Sequence, residues 1–512
     1  MNSIVVRRWW ALAALTLGVL AVGLDITVLS VALPTLAVSL KASESDLQWF
    51  SSAYALVLAA GMLPAGVLGD RFGRKRVLLG ALALFGAGSI ACAYAVDPGQ
   101  FIAGRVVLGV AGAAVVVMAL SVLTVLFSEE ERPRAVGIWA AANFIALPIG
   151  PIFGGWLLTN YWWGWIFLMN VPVAVVGMIA VLALVPESRA AERPALDPIG
   201  MLLASGGLAA VTYGLIELGR NGWIDPSSLA VLVAGVAVVV GFFLWERYLN
   251  ARQGGRPLVD LSLFKSRGFT WGVILAALGG MALIGLVFTL PQYSQGVLGL
   301  DPEGSGVRLL PVIVGLIAGA VPADRLAERI GPKVTVTTGF AITAGGLLLG
   351  STTALDSSQW FVVTWQVVIG FGMGIGFATA ASAALKTVPS EQSGVGSALL
   401  QAMQKVGAPF GSAILGSVLV TVYQSNLDLT GVPPALAGVV KQSIFAGVAV
   451  AQKLHSPVLL ESVRSSFVHG MDAALTVSAS IAAIATLLAL IFLPGRNRIA
   501  ASADEPAVQE VA

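Results

Sequence analysis

Apolar runs of about 18 residues or more recur from one end of this chain to the other. Each is long enough to cross the hydrocarbon core of a bilayer as a helix. Backbone in lipid must satisfy its hydrogen bonds internally, so only helices and closed barrels can span. A barrel would read as short alternating segments, whereas these runs are solid. An all-α polytopic membrane protein is expected. Hydrophobic residues make up 57% of the chain and charged residues 11%, a balance that excludes a soluble globular class. The formal net charge of +2 gives no footing for nucleic acid.

Fourteen spans are expected, near 9–30, 47–69, 77–95, 101–125, 135–158, 163–185, 198–218, 228–248, 269–291, 306–323, 333–353, 359–384, 394–422 and 470–493. An even number puts both termini on one side. With the N-terminus inside, inner loops and tails hold 21 of the 29 Lys and Arg residues. Outer loops hold Lys41, Arg220, Lys441, Lys453 and Arg464, and Arg105, Arg308 and Lys405 lie within spans. This asymmetry follows the positive-inside rule and predicts cytoplasmic termini in a cell membrane, plasma or inner. The basic inner loop 246–268 should lie along the membrane face. The outer loop 424–469 should form a helical hairpin from stretches near 435–453 and 457–469, and the polar tail after Pro494 should be disordered.

Between the second and third spans lies Gly66-Val-Leu-Gly-Asp70-Arg71-Phe-Gly73-Arg74-Lys75-Arg76, a dense cationic turn with one acid. After the tenth span, Asp324-Arg-Leu-Ala-Glu-Arg-Ile-Gly331-Pro-Lys333 repeats it in degraded form, and in this register Arg105 falls opposite Gln366. Spans 1–6 and 9–14 therefore read as two copies of one six-helix unit, with spans 7–8 inserted. The boundaries are 1–190, 191–265 for the inserted pair and linker, 266–495, and 496–512 for the tail. Repeats of this kind place substrate between the halves near mid-membrane.

At this point the chain resembles the fourteen-helix drug/proton antiporters of the major facilitator superfamily, the EmrB/QacA type. The 66–78 turn fits the signature G-x-L-a-D-R-x-G-R-K-x-x-L. The first span carries Leu24-Asp25-Ile-Thr27 through Pro34, the fifth Gly150-Pro151-Ile-Phe-Gly154-Gly155, and the sixth opens Trp163-Gly164-Trp165-Ile-Phe-Leu-Met-Asn170-Val-Pro172. The chain departs from the family pattern at Leu108, Ala146 and Gly164. The resemblance implies a major facilitator fold and proton-coupled export of drugs or other lipophilic small molecules by alternating access. A symporter importing a metabolite on the same fold is the alternative.

Asp25 is the candidate proton site. An acid at the centre of a spanning helix costs ~2.5–3.5 kcal/mol on insertion scales, which calls for a use. Arg105 is its candidate partner, for coupling or as a fixed structural pair. The resemblance makes Gly66, Asp70, Arg71, Gly73, Arg74 and Lys75 an inner conformational latch, and assigns Pro148, Gly150, Pro151, Gly154 and Gly155 to the antiporter signature. The two prolines should bend the fifth helix. Trp49, Tyr54, Asn143, Glu217, Gln366 and Lys405 are candidate cavity residues, with Trp245 beside them. Glu217 also reads as an interfacial acid paired with Arg220, and Asp472 as a dipole partner at the start of the last span. There is no phosphate loop, and His455, His469 and the single Cys92 make no metal or catalytic cluster, so no enzyme and no cofactor is expected. The expected partners are a small-molecule substrate, protons and the bilayer, with the chain a monomer.

Overall fold

The computed structural model of the chain describes residues 2–127, 131, 135, 149–188, 197–221, 224–252, 264–386 and 393–493. Within them, the side chains of 2–7, 63, 124–125, 219–220, 284, 324, 385–386, 393–399, 401–406 and 408–409 lie outside the description. Every regular element among the described residues is helical. Among the described residues, eleven helices are long and apolar enough to cross a membrane, or twelve if the bent second helix counts as one span. Two other expected spans, 135–158 and 394–422, run across residues or side chains outside the description.

The first half contains α1 (Asn2–Ser39), α2 (Glu44–Phe72), α3 (Arg74–Ala93), α4 (Pro98–Leu126), α5 (149–160), the short α6 (Trp165–Leu168) and α7 (Asn170–Leu184). Next come α8 (Pro198–Asn221) and α9 (Pro226–Ala251). The second half contains α10 (Arg267–Gln292), a π-helical turn (Tyr293–Val297), α11 (Pro302–Val307), α12 (Leu310–Ile330), α13 (Pro332–Gly350), α14 (Gln359–Lys386) and α15 (Ser393–Asn426). It closes with α16 (Pro434–Val440), α17 (Ile444–Lys453) and α18 (Pro457–Phe492).

The internal repeat is visible in the packing. In the first half α4 packs on α2 and α3, and in the second α14 packs on α12 and α13. The paired turns match at their backbones. Gly73 has φ 110° and Gly331 has φ 89°, values that a residue with a side chain adopts only under strain. Both glycines end one helix and begin the next with no intervening loop. Pro64 interrupts the hydrogen-bond ladder of α2, which bends there by 48°. The inserted α8 packs on α9 and lies against both α2 and α15, the helices that meet across the halves.

Three local expectations are revised. The last helix starts at Pro457 and runs unbroken to Phe492, so Asp472 is an interior residue and not part of a first turn. The stretch 435–453 divides at Lys441-Gln442-Ser443, where Ser443 caps α17 through a bond to the Ala446 amide. The expected span 306–323 starts earlier, at Pro302, and its helix is broken at Arg308, between α11 and α12, within that span. Part of the basic loop (253–263) and the tail (494–512) fall outside the described residues.

Candidate functional site

Asp25 and Arg105 meet at the centre of the first half, with 2% and 1% of their surfaces exposed. Arg105 Nη1 donates directly to Asp25 Oδ2, and its Nε donates to the Phe50 carbonyl at 3.0 Å. The guanidinium lies 4.3 Å from the centre of the Tyr54 ring, a cation–π contact, and the Tyr54 hydroxyl donates to the Val22 carbonyl. Asn170 Nδ2 reaches Asp25 Oδ1 at 3.5 Å and Ser89 Oγ at 3.4 Å. One buried polar cluster thus ties together α1, α2, α3, α4 and α7. Small residues permit the approach. A Cβ at Gly104 would lie 2.6 Å from Cys92 Sγ, and one at Gly109 would lie 2.9 Å from the Tyr54 carbonyl oxygen.

Arg74, Lys75 and Arg76 of the cationic turn bond within their own half. Arg74 pairs with Asp70 (Nη2 to Oδ1, 2.9 Å), and its amide donates to the Ser188 carbonyl at 2.8 Å. Lys75 Nζ donates to the Leu182 carbonyl at 2.8 Å, and Arg76 pairs with Glu187 at 3.5 Å. Glu187 also accepts from the Lys75 amide. Asp70 therefore takes its bond from the same turn and not from an arginine across the halves.

The halves meet at the opposite end, which carries the 424–469 hairpin. Gln295 Nε2 donates to the Val31 carbonyl at 3.0 Å, Ser52 and Ser412 share a hydrogen bond, and Gly416 packs on Gln48. The fifth-helix signature is part of this seam. A Cβ at Gly155 would lie 2.6 Å from the Pro302 carbonyl oxygen, and Gly306 rests on the Pro151 carbonyl. Gly150 and Gly154 face the other way, onto Thr27 and Val28 of α1. The signature thus packs α5 against its own half on one face and the other half on the next. A small cavity of about 50 Å³ lies at this contact, lined by Thr27, Ser30, Pro151, Leu286, Val312 and Leu316 among others. Among its described lining residues, hydroxyls come from Thr27 and Ser30. A second cleft, of about 240 Å³, lies between α1, α5 and α7 and reaches Asn170.

The candidate cavity residues do not gather in one place. Trp49 faces Tyr213 of the inserted α8, with ring centres 6.1 Å apart. Glu217 accepts from Asn221 at 3.1 Å, with the Arg220 side chain outside the description. Tyr54 belongs to the ion pair, and Gln366 is buried in the second half. Trp245 donates to Asp197, which caps α8 through the Gly200 amide. Asn143 and Pro148, and the side chain of Lys405, lie outside the described residues. Sequence reasoning missed Asn170 as a ligand of Asp25. It also missed Glu44, Gln48 and Ser52, a polar stripe at helical spacing along the start of α2 that marks a face turned toward the other half.

The family model described as Major Facilitator Superfamily matches residues 15–412 and 310–450. The chain belongs to the major facilitator superfamily. It is 33% identical over 497 residues to the tetracenomycin C resistance and export protein of Streptomyces glaucescens, covering 94% of this chain and 91% of the relative. It is 32% identical to the multidrug efflux pump LfrA of Mycolicibacterium smegmatis, covering 94% and 95%. Among solved structures it superposes on a bacterial homologue of the human lysosomal transporter Spinster with a TM-score of 0.67 at 16% identity, covering 95% of this chain and 97% of that one. A D-xylose–proton symporter gives 0.60 at 15% identity, covering 95% and 98%. At these identities the superpositions establish the fold. This superfamily member is a multi-pass membrane transporter of small molecules and not an enzyme.

Proposed function

We propose that this superfamily member is a proton-coupled exporter of drugs or other lipophilic small molecules. It works as a monomer in the plasma or inner membrane, with fourteen spans and both termini cytoplasmic. The units are 1–190 and 266–495 as the rocking halves, 191–265 as the inserted pair and linker, and 496–512 as a tail. The cationic turns then face the cytoplasm and the hairpin faces outward. With the seam closed at the hairpin end, the arrangement corresponds to a state shut toward the outside.

The observation that carries this reading is the sealed ion pair of Asp25 and Arg105 in a membrane helix bundle. A proton arriving at Asp25 neutralises the carboxylate and leaves Arg105 without its counter-charge. The packing of α1, α2 and α4 around the pair then differs between the two protonation states, which is the differential interaction a switch requires. Export direction is supported by the resistance and export proteins that share this sequence along most of their length. The Asp70 turn acts as the inner latch, with Arg74, Lys75 and Arg76 bonded within their own half here and the turn available to the other half when the outer face opens. The described lining of the small cavity between the halves is apolar apart from two hydroxyls, a surface that suits neutral lipophilic cargo.

The energetics are sufficient. One charge moving through 100 mV releases ~2.3 kcal/mol, which sustains roughly a 50-fold gradient of neutral cargo at ~1.4 kcal/mol per tenfold. The direct test uses an efflux-deficient host and a panel of lipophilic antibiotics and dyes. Wild type should raise resistance to some of them, and Asp25→Asn should lose it. Uptake of cargo together with protons would establish the symport alternative instead.

A further inference from the structure

Glu44 and Gln292 have no part in the mechanism above. Glu44 opens α2 with 2% of its surface exposed, on the seam between the halves. Its amide donates to the Gln442 carbonyl of the hairpin at 2.8 Å. Its Oε1 accepts from Gln292 Nε2, on the last residue of α10, at 3.0 Å. No cation is paired with it, since the ion pairs among the described residues all involve other acids. The titratable and charged residues on the surrounding elements include Tyr423 and Lys405 of α15 (the Lys405 side chain outside the description), Tyr293 of the π turn, Asp428, Lys441, Lys453 and His455 of the hairpin, Glu461, Arg464, His469 and Asp472 of α18, and Lys41 and Asp46 in its own turn; of these, Tyr423 feels the Glu44 charge. Tyr423 gives its hydroxyl to the Val440 and Ser443 carbonyls, and Asp46 accepts from Ser43.

An ionised carboxylate sealed against a neutral amide is strongly disfavoured. The amide itself indicates which form is present. Gln292 Nε2 is committed to two acceptors, Glu44 and the Phe288 carbonyl (3.3 Å), which fixes its orientation. Gln292 Oε1 is then buried with no donor among the described residues. A proton on Glu44 is the donor that this oxygen lacks, and the acid and amide would then make two bonds instead of one. The rest of the α2 stripe meets the other half through neutral groups, Gln48 on Gly416 and Ser52 on Ser412. Glu44 is the one member of that stripe able to titrate.

We propose that Glu44 is a second proton-binding site, belonging to the gate. It holds a proton while the halves are shut at the hairpin end and returns it to the outer solution when they part. This rests on the alternating-access reading with the hairpin outside. The proton does not cross the membrane. It sets how readily the outer gate closes, so external acid speeds resealing after cargo has left. Closure takes up a proton, so the shut state is favoured at low external pH. Its ratio to the open state falls by up to about tenfold per pH unit while Glu44 is ionised in the open gate and still protonated in the shut one, and levels off once both have lost the proton.

The test is a distance measurement on the full-length protein in nanodiscs, with Cys92→Ala and spin labels at Val96 and Leu355. These exposed residues precede α4 and α14, at the hairpin end of each half. Between about pH 5 and about pH 9 the wild-type label separation should shift from a short to a long population. Glu44→Gln, which mimics the neutral acid, should stay short throughout. Glu44→Asp, which keeps a titratable carboxyl, and Ser412→Ala, which removes a neutral contact from the same seam, should keep the pH response. A pH-independent wild type, or a Glu44→Gln variant that responds like wild type, overturns the proposal. Asp25→Asn should keep the gate response while losing proton-driven dye transport, so failure of the export reading is distinguishable from failure of this one.

Discussion

The two halves share a scaffold and differ in what they bury. Each turns at a positive-φ glycine between its second and third helices, and each packs its fourth helix on those two. The first half then encloses Asp25 and Arg105 in direct contact. In the second, Gln366 takes the place of the arginine, and Ala282 stands as far ahead of Pro291 as Asp25 stands ahead of Pro34. Among the described residues, the same helix arrangement is thus built once around a buried charge pair and once without one. A buried ion pair is rarely more stabilising than apolar packing of equal volume. Its place among the described residues of the first half alone therefore argues for a task other than holding helices together.

The strongest way to break this comparison is to copy one half into the other. Arg105→Gln leaves the Asp25 carboxylate sealed without its cation and should cost ~3–5 kcal/mol. Thermal unfolding of the purified protein would register that loss. Adding Asp25→Ala recreates the second half's neutral interior and should recover most of it, a coupling that a double-mutant cycle reads directly. Independent, additive effects would mean that the pair is not the unit described here.

A second group of substitutions addresses the seam. Gly155→Leu and Gly306→Leu drive side chains into backbone of the opposite half and should destabilise the closed contact by ~1–3 kcal/mol. In proteoliposomes the readout is a faster decay of an imposed proton gradient, and unchanged decay would argue that this contact seals nothing. A subtler pair compares the turns. Gly73→Ala and Gly331→Ala each force a positive φ on a residue with a Cβ, at ~1–2 kcal/mol. The unfolding shift should be at least as large for Gly73→Ala, whose Cβ would also lie 2.5 Å from Glu187 Oε1, and transport should suffer more from it, because that turn carries the full latch.

The smallest expected effect lies in the hairpin, which the second half alone carries. The Thr430 hydroxyl, and then its amide, hold the Asp428 carboxyl below the usual carboxylate range. That contribution is complete above the free carboxyl's value and is lost as pH falls through the depressed one. Amide exchange at Thr430, corrected for its intrinsic pH dependence, should keep its protection until strongly acidic conditions, and Thr430→Ala should raise the pH at which protection is lost.

Much of this was legible before any coordinates. The apolar runs announce the spans, and the loop charges announce an orientation. Asp25 and Arg105 announce themselves as charges inside apolar helices, and a charge so placed needs a partner. Glu44 was not legible in the same way. At the first turn of a helix an acid reads as a dipole or capping residue, and the Ser43–Asp46 box confirms that such a cap exists beside it. Its burial comes from Gln292 and the hairpin closing over it, contacts that join residues distant in sequence. The neighbour of Trp49 was hidden for a similar reason, since Tyr213 lies on α8 and no spacing in α2 forecasts that contact. Asp472 fails locally, because residues 457–469 contain nothing after Pro457 that would stop a helix, and amphipathic and spanning segments fuse into one.

The central claim is that the Asp25 carboxyl couples proton movement to cargo movement in opposite directions. The most direct measurement loads proteoliposomes with a pH-sensitive dye and an acidic lumen, then adds a transported lipophilic compound outside. Wild type should accumulate the compound while the lumen loses acid, and Asp25→Asn should do neither. Proton release and accumulation at wild-type rates in Asp25→Asn would contradict the account.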